Sequence, residues 1–306
     1  MMNDPIPFDL SLQDFPLNCL YIVATPIGNL ADLTLRARYV LSLVDGIACE
    51  DTRHTSHLLN SLGIQKPLFS LHQHNENEAA EKLISMVKSG SRWAYVSDAG
   101  TPGVSDPGAR LTSKFIRAGM RVIPIPGVSA ITTLLSVAGE ALEKSHGLFQ
   151  FYGFLPTKKN ERLQILNQLN FCSLATLFYE APQRIEKMLT EVWESTINKN
   201  RSVIIGRELT KKFETLSHLT VAELPQWLKL QETFKGEFSI LIQGEPSTNM
   251  PIVDGASEVN VNINLLAANL AGYLGSKQIA EIFSTVGIMS KNDAYQLALA
   301  NKNPST

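Results

Sequence analysis

The stretch Val96-Ser-Asp-Ala-Gly-Thr-Pro-Gly-Val-Ser-Asp-Pro-Gly108 concentrates groups able to hold a small molecule. An apolar run, Trp93 to Val96, reads as a short buried strand, and a helical pattern resumes near Ala109. Between them stand Asp98 and Asp106, with Gly100, Gly103, Gly108, Pro102 and Pro107. Glycine lets the backbone approach a ligand or take positive φ, and proline stiffens the path. Ordinary strand-to-helix connections take about two to six residues, so turning a corner does not require this loop. In open α/β sheets, ligands bind at the carboxyl ends of strands, where this loop must lie.

Other polar groups fall at equivalent points. Glu50-Asp51-Thr-Arg53 follows the apolar run Gly46–Cys49 and opens a helix. Glu50 and Asp51 complement the helix dipole there, or, with Arg53, touch a substrate. Arg207-Glu208 also follows a strand, and Lys211-Lys212 reads as a phosphate contact or a solvated turn. Tyr179-Glu-Ala-Pro182 ends another buried strand and should line a cleft. His54, His57, His72 and His74 have no cysteine partners or metal-site spacing, so no metal is expected. No G-x-G-x-x-G, G-x-x-x-x-G-K-[ST] or G-x-S-x-G occurs, which removes the common dinucleotide, P-loop and α/β-hydrolase readings.

The elements that position these residues follow from hydrophobic pattern. Cys19–Ala24, Gly46–Cys49, Pro67–Leu71, Trp93–Val96 and Arg121–Ile125 read as five strands alternating with helices, the pattern of a parallel, doubly wound sheet. Asp32 is expected to cap the first helix. Strands are expected again at Leu148–Tyr152, Leu174–Tyr179, Ser202–Gly206, Glu214–His218 and Glu237–Ile242, with helices at Asn160–Leu169, Gln183–Thr196 and Val221–Leu230. No crossover helix fits between Gly206 and Glu214, so this half is expected to be mixed. Glu245–Asn262 reads as a linker. Helices at Leu265–Leu274, Lys277–Thr285 and Ala294–Ala300 form a small helix-turn-helix-like unit. The expected fold is α/β: an N-terminal domain over 19–145, a second α/β domain over 146–245 and a helical unit over 256–306.

Composition bounds the rest. The 306 residues carry a net charge of -2 and 44% hydrophobic content, so no overall basic excess announces nucleic acid. Cys19, Cys49 and Cys172 form no C-x-x-C, which favours a reducing, cytoplasmic setting. The uncharged segment Val122–Gly139 is broken by Pro124, Pro126 and Gly127, so no membrane span is expected.

Taken together, Leu20-Tyr-Ile-Val-Ala-Thr-Pro-Ile-Gly-Asn-Leu-Ala-Asp32, Glu50–Arg53, Ser97–Pro102, Pro126-Gly127, Gly153–Pro156, Phe178–Glu180, Arg207–Thr210 and Lys235–Glu237 resemble the family of ribosomal RNA small subunit methyltransferase I. That family is a branch of the tetrapyrrole methylase superfamily. The resemblance spans about residues 19–300. It implies S-adenosylmethionine in a cleft between two α/β domains, small-subunit ribosomal RNA as substrate, a 2′-O-methylated cytidine of the decoding region as product, and a homodimer. Carried over by motif, the cofactor-binding positions are Pro26, Ala99, Gly100, Thr101, Val104, Ser129, Ala130, Glu180 and Leu209. Tetrapyrrole-modifying relatives have Gly-Gly-Asp where this chain has Ala99-Gly100-Thr101, which argues against a tetrapyrrole or other small-molecule acceptor. An RNA-binding assembly factor without catalysis is the alternative of another class. Glu50, Asp51, Arg53, Arg207 and Glu208 are candidates for RNA contact. Removal of the ribose proton calls for a base, and Glu50, Asp51, Asp98, Glu180 and Glu208 are all open to that role. The terminal helices have three basic and three acidic residues from Ala256 onward, so RNA docking, dimer contact and structural packing all remain open.

Overall fold

Five apolar runs in the first half become the five strands of one parallel sheet in a computed structural model. The structure describes residues 10–71, 76–245, 263–271, 274–285 and 289–302. The strands are β1 (Cys19–Val23), β2 (Gly46–Cys49), β3 (Leu68–Ser70), β4 (Arg92–Val96) and β5 (Arg121–Ile125). Their order is β3-β2-β4-β1-β5, and every pairing is parallel. The central strands are apolar on both faces, as a sheet covered on both sides requires. Pro124, which has no N–H to donate, sits on edge strand β5.

Helices cover both faces. On one, α1 (Leu35–Leu43) and α2 (Thr52–Ser61) pack Val40, Leu41 and Leu59 against Tyr21, Val23 and Ile47. On the other, α3 (Glu76–Lys88) and α4 (Ala109–Arg117) pack Leu83, Val87, Leu111 and Phe115 against Leu20, Trp93 and Tyr95. The cap of α1 differs from expectation. Asn29 caps a single 3-10 turn, Leu30–Asp32, which takes up Asp32; Leu33 is extended, and the Thr34 hydroxyl accepts from Ala37 N–H to start the helix. At α2 the expected polar cap is present, because the Asp51 carboxylate accepts from Arg53 N–H.

The second half forms β6 (Phe149–Phe154), β7 (Ala175–Glu180), β8 (Ser202–Arg207), β9 (Thr215–Thr220) and β10 (Phe238–Ile242), in the order β6-β7-β10-β8-β9. Only β6 and β7 are parallel; the other pairings are antiparallel. One face is covered by α7 (Lys159–Gln168), α8 (Ile185–Ser195) and α9 (Leu224–Leu230), with Leu166, Met188, Leu189 and Leu224 packed on Phe178, Ile205 and Ile240. The helix expected over Val221–Leu230 is divided. Val221–Glu223 is a 3-10 turn closed by a Thr220–Glu223 capping box, and α9 follows with Pro225 in its first turn. The opposite face is covered by α5 (Ala130–Leu135) and α6 (Glu140–Glu143). Ile131, Leu134 and Ala141 share one apolar cluster with Leu177, Ile204 and Leu241. The two sheets are thus joined through a common core, and residues 1–246 form one compact unit.

Residues 247–306 form a second unit. In it α10 (Ile263–Ala271), α11 (Ser276–Thr285) and α12 (Lys291–Lys302) enclose Ala267, Ile279, Phe283, Ala294 and Ala298. Ser290 caps α12 by accepting from Asp293 N–H. The expected linker lies outside the described residues beyond Glu245. Among the described residues, no helix is long and apolar enough to cross a membrane.

Candidate active-site cleft

The strand order sets where a cleft can form. The chain leaves β1 toward β2 on one side and leaves β4 toward β5 on the other, so the loops after β1 and β4 diverge. Ligand crevices of open α/β sheets lie at such a switch point. Here the two loops are pinned together: Thr25 N–H donates to Gly100 carbonyl at 2.9 Å, and Gly100 N–H donates to Thr25 carbonyl at 3.0 Å. Gly100 takes φ 73°, which only glycine adopts without penalty. The Thr101 hydroxyl donates to Val128 carbonyl at 3.1 Å and fixes the β4 loop to the β5 loop.

A cavity of ≈ 330 Å³ opens against these loops. Its first side is Ile27, Ala99–Thr101, Val104–Asp106, Ser129 and Ala130. The second sheet supplies Phe154, Tyr179–Pro182 and Glu237–Ser239. These belong to one edge, because β10 runs antiparallel to β7 and its start, Phe238, pairs with Glu180 at the end of β7. Mostly apolar walls with a few convergent polar groups are the usual make-up of a small-molecule site.

Glu180 is the most unusual of those polar groups. It is 2% exposed. Its Oε1 accepts from Ala181 N–H at 2.8 Å and stands 3.1 Å from Arg184 Nε, whereas Oε2 is buried without a hydrogen-bond partner. Burial pushes this carboxyl up from its ordinary range, against the pull of Arg184. An unsatisfied buried carboxylate oxygen costs free energy unless a ligand donor reaches it. Tyr179 beside it is pushed up to about 12 by burial, and its hydroxyl meets Ser129. Edge-on contacts with Phe151 and Phe154 hold its ring, with centroids 5.0 and 5.7 Å away.

The sequence-derived positions divide by place. Ala99, Gly100, Thr101, Val104, Ser129, Ala130 and Glu180 line the cavity together. Pro26 does not; its neighbour Ile27 does. Leu209 lies in the apolar cluster beneath, with Ile27, Val104 and Ala130 packed against the same cluster. Arg207 and Glu208 line a separate hollow with Phe213, Thr215, Lys235 and Gly236. There Arg207 Nε donates to Lys235 carbonyl at 2.7 Å, and Glu208 pairs with Lys211 Nζ at 3.0 Å. Lys211 also reaches Glu237 at 2.9 Å, and its stem fills the space where a Cβ on Gly28 would stand. The Arg53 side chain, 87% exposed, folds back on Asp51 at 2.7 Å and holds that carboxyl below the usual range. Glu50 is pushed up by burial and by Asp98, Asp106 and Asp51. His54 and His57 lie on α2, while His72 and His74 lie outside the described residues.

Sequence reading missed Asp106 as a base. It also missed the contributions of Ile27, Phe238 and Ser239. Asp106 lay in the stretch first singled out, but nothing in a linear pattern separates its carboxylate from that of Asp98. Ser105 before it has φ 62°, a left-handed backbone that non-glycine residues adopt at a cost and that tends to cluster at functional sites.

Comparison with known proteins agrees with this architecture. The family model described as Tetrapyrrole (Corrin/Porphyrin) Methylases matches residues 19–225. Curated proteins named "Ribosomal RNA small subunit methyltransferase I" are similar over most of their length. The one from Haemophilus influenzae is 39% identical, covering 92% of this chain and 96% of the relative. That from Escherichia coli O157:H7 is 40% identical over 92% and 94%, and that from Xylella fastidiosa 46% over 74% and 81%. Among solved structures, the methyltransferase CobJ superposes with a TM-score of 0.55 at 16% identity, covering 76% of this chain and 96% of that one. Diphthine synthase gives 0.53 at 15%, over 73% and 89%. At such identities the structures speak for the fold alone.

Proposed function

The chain belongs to the tetrapyrrole methylases, in the family of ribosomal RNA small subunit methyltransferase I, and from that premise we propose that it transfers a methyl group from S-adenosylmethionine to the 2′-hydroxyl of a cytidine in the decoding region of small-subunit ribosomal RNA. The observation that carries this reading is that the matched span, 19–225, holds every wall of the cavity except Glu237–Ser239. The unsatisfied Oε2 of Glu180 fits a ligand that brings an N–H or O–H donor into an otherwise apolar site. In this reading Ala99–Thr101, Val104, Ser129, Ala130 and Glu180 hold the cofactor. Pro26 and Leu209 support Ile27 and the apolar floor from behind.

When bound, S-adenosylmethionine supplies a methyl group already attached to a good leaving group. The chain's own task is positioning, worth on the order of 7–11 kcal/mol in the best cases. The reciprocal Thr25–Gly100 bonds and the Thr101–Val128 bond make three loops a single rigid wall, which is what such positioning requires. Arg53 and Arg207 stand at the carboxyl edges of the two sheets, where phosphate contacts orient RNA without reading its sequence. The Arg53–Asp51 pair is exposed, and surface pairs of this kind are weak enough to open toward a phosphate. Family membership also supports a homodimer.

Incubation with labelled S-adenosylmethionine and purified small subunits tests the reading. Label is expected in the RNA. A 2′-O-methyl group removes the nucleophile of alkaline cleavage, so the hydrolysis ladder should show a gap at one cytidine of the decoding region. Label in no RNA, or label on a base with an unbroken ladder, would overturn it.

A further inference from the structure

A second hollow, of ≈ 360 Å³, adjoins the first. Glu50, Ser105, Asp106 and the start of α4 from Pro107 to Arg110 line it. Ser105 and Asp106 line both cavities, so these two residues are the wall between them. The two spaces differ in chemistry. The first is walled mainly by apolar side chains. The second is walled by two carboxylates, a guanidinium and the amino end of α4, whose N-cap Gly108 makes no side-chain hydrogen bond.

Building on the function proposed above, we propose that this second hollow receives the ribose of the acceptor nucleotide, and that Asp106 on the shared wall is the catalytic residue that takes its 2′-hydroxyl proton. Position decides among the carboxylates. Glu180 and Glu237 line only the first cavity, and Glu50 lines only the second. Asp98 lines neither and accepts from Asp51 N–H at 3.2 Å. Asp51 is held by Arg53, and Glu208 by Lys211 in a third hollow. Only Asp106 can face an acceptor on one side and the methyl donor on the other. The amino end of α4 and Arg110 give the far rim a positive potential suited to the nucleotide's phosphate.

The step balances. The hydroxyl oxygen forms the new O–C bond as its O–H bond breaks and the proton passes to the Asp106 carboxylate. The C–S bond breaks, its electron pair stays on sulfur to give a neutral thioether, and Asp106 releases the proton to water after product leaves. The surroundings of Asp106 suit a base. The Ser97 hydroxyl meets it, Asp98 faces it from the end of β4, and Tyr179 and Glu50 feel its charge from β7 and β2. Burial, with Asp98, raises its proton affinity above that of an ordinary aspartate.

Wild type and Asp106→Asn are to be compared in single turnover with S-adenosylmethionine and small subunits between about pH 5 and pH 9. The variant is expected to be slower by about a hundredfold or more, as loss of a general base predicts. Its affinities for S-adenosylmethionine and for small subunits, measured by calorimetry and filter binding, should stay within about twofold of wild type. The wild-type rate should fall as Asp106 protonates on acidification, and the variant's should not. Asp98→Asn removes a charge facing Asp106, so the wild-type acid limb should move to lower pH. Thermal unfolding gives a readout independent of turnover. A carboxyl whose pKa is raised by folding adds stability below its unfolded pKa and loses it as pH rises through the folded value. Asp106→Asn should therefore melt above wild type at neutral pH. A variant rate within threefold of wild type, a lost cofactor affinity, or an acid limb unmoved by Asp98→Asn would overturn the proposal while leaving the methyltransferase reading intact. An unlabelled RNA with wild-type enzyme would overturn both.

Discussion

At the scale of single residues, Glu180 is where the structure departs most from what a sequence can show. The strand-end motif Tyr179–Pro182 marks it as a cleft residue, but burial of one carboxylate oxygen without a partner is a property of the assembled fold. If that oxygen receives a donor of the cofactor, Glu180→Gln removes a charge-assisted hydrogen bond at nearly constant shape. The expected loss is roughly 1.5–3 kcal/mol, or about ten- to a hundredfold in Kd for S-adenosylmethionine. Calorimetry checks it, and an unchanged Kd would remove Glu180 from the cofactor site. Seven of the nine motif-derived positions meet in one cavity because loops from strands with a common carboxyl edge must converge. Arg207 and Glu208 do not join them. Their side chains are taken by Lys235 carbonyl and by Lys211, partners that linear spacing does not reveal.

At the scale of elements, strands were legible wherever both faces are buried. Gly46–Cys49 and Arg121–Ile125 stand at the boundaries their apolar runs suggest, and Phe238–Ile242 reads as a continuous apolar run because β10 is central, buried on both faces. Its insertion between β7 and β8 was not legible, since pairing order is decided by tertiary packing and not by local pattern. The first cap shows the same limit: both Asp32 and Thr34 are cap residues by type, and the 3-10 turn set by Asn29 decides between them. The turn into α4 carries a testable constraint. Gly108 has φ 131°, and a Cβ there would lie 2.8 Å from Tyr95 Cε1. Gly119, at the other end of α4, has φ 70° with nothing within 4 Å. Gly108→Ala must strain the backbone and displace a buried ring, whereas Gly119→Ala strains the backbone alone. The first should cost at least about 2 kcal/mol, a fall of roughly 4–8 °C in Tm for a unit of this size. The second should cost about half as much. Equal losses in thermal unfolding would show that the Tyr95 contact does not constrain the loop.

At the scale of the molecule, the division into domains at 19–145 and 146–245 separates the two sheets but also cuts through their shared core. Ile131, Leu134 and Ala141, from α5 and α6, bury one face of a sheet whose strands all lie beyond residue 148. Leu177, Ile204 and Leu241 would be exposed without them, and contiguous apolar surface of that kind promotes aggregation. We therefore expect the two halves to fold as one. A fragment of residues 146–245 should be insoluble or lack a cooperative transition, whereas a fragment ending near residue 246 should melt in a single transition. Leu134→Ala should lower the stability of both sheets together by about 2–5 kcal/mol. Hydrogen exchange separates the outcomes: amides of β1 and of β10 should lose protection in parallel, and protection lost in β10 alone would show the sheets to be independent folding units. The stakes are functional. A cleft walled by loops from both sheets keeps its geometry only if those sheets cannot drift apart, and a shared apolar core beneath the cavity prevents that without closing its mouth to a nucleotide.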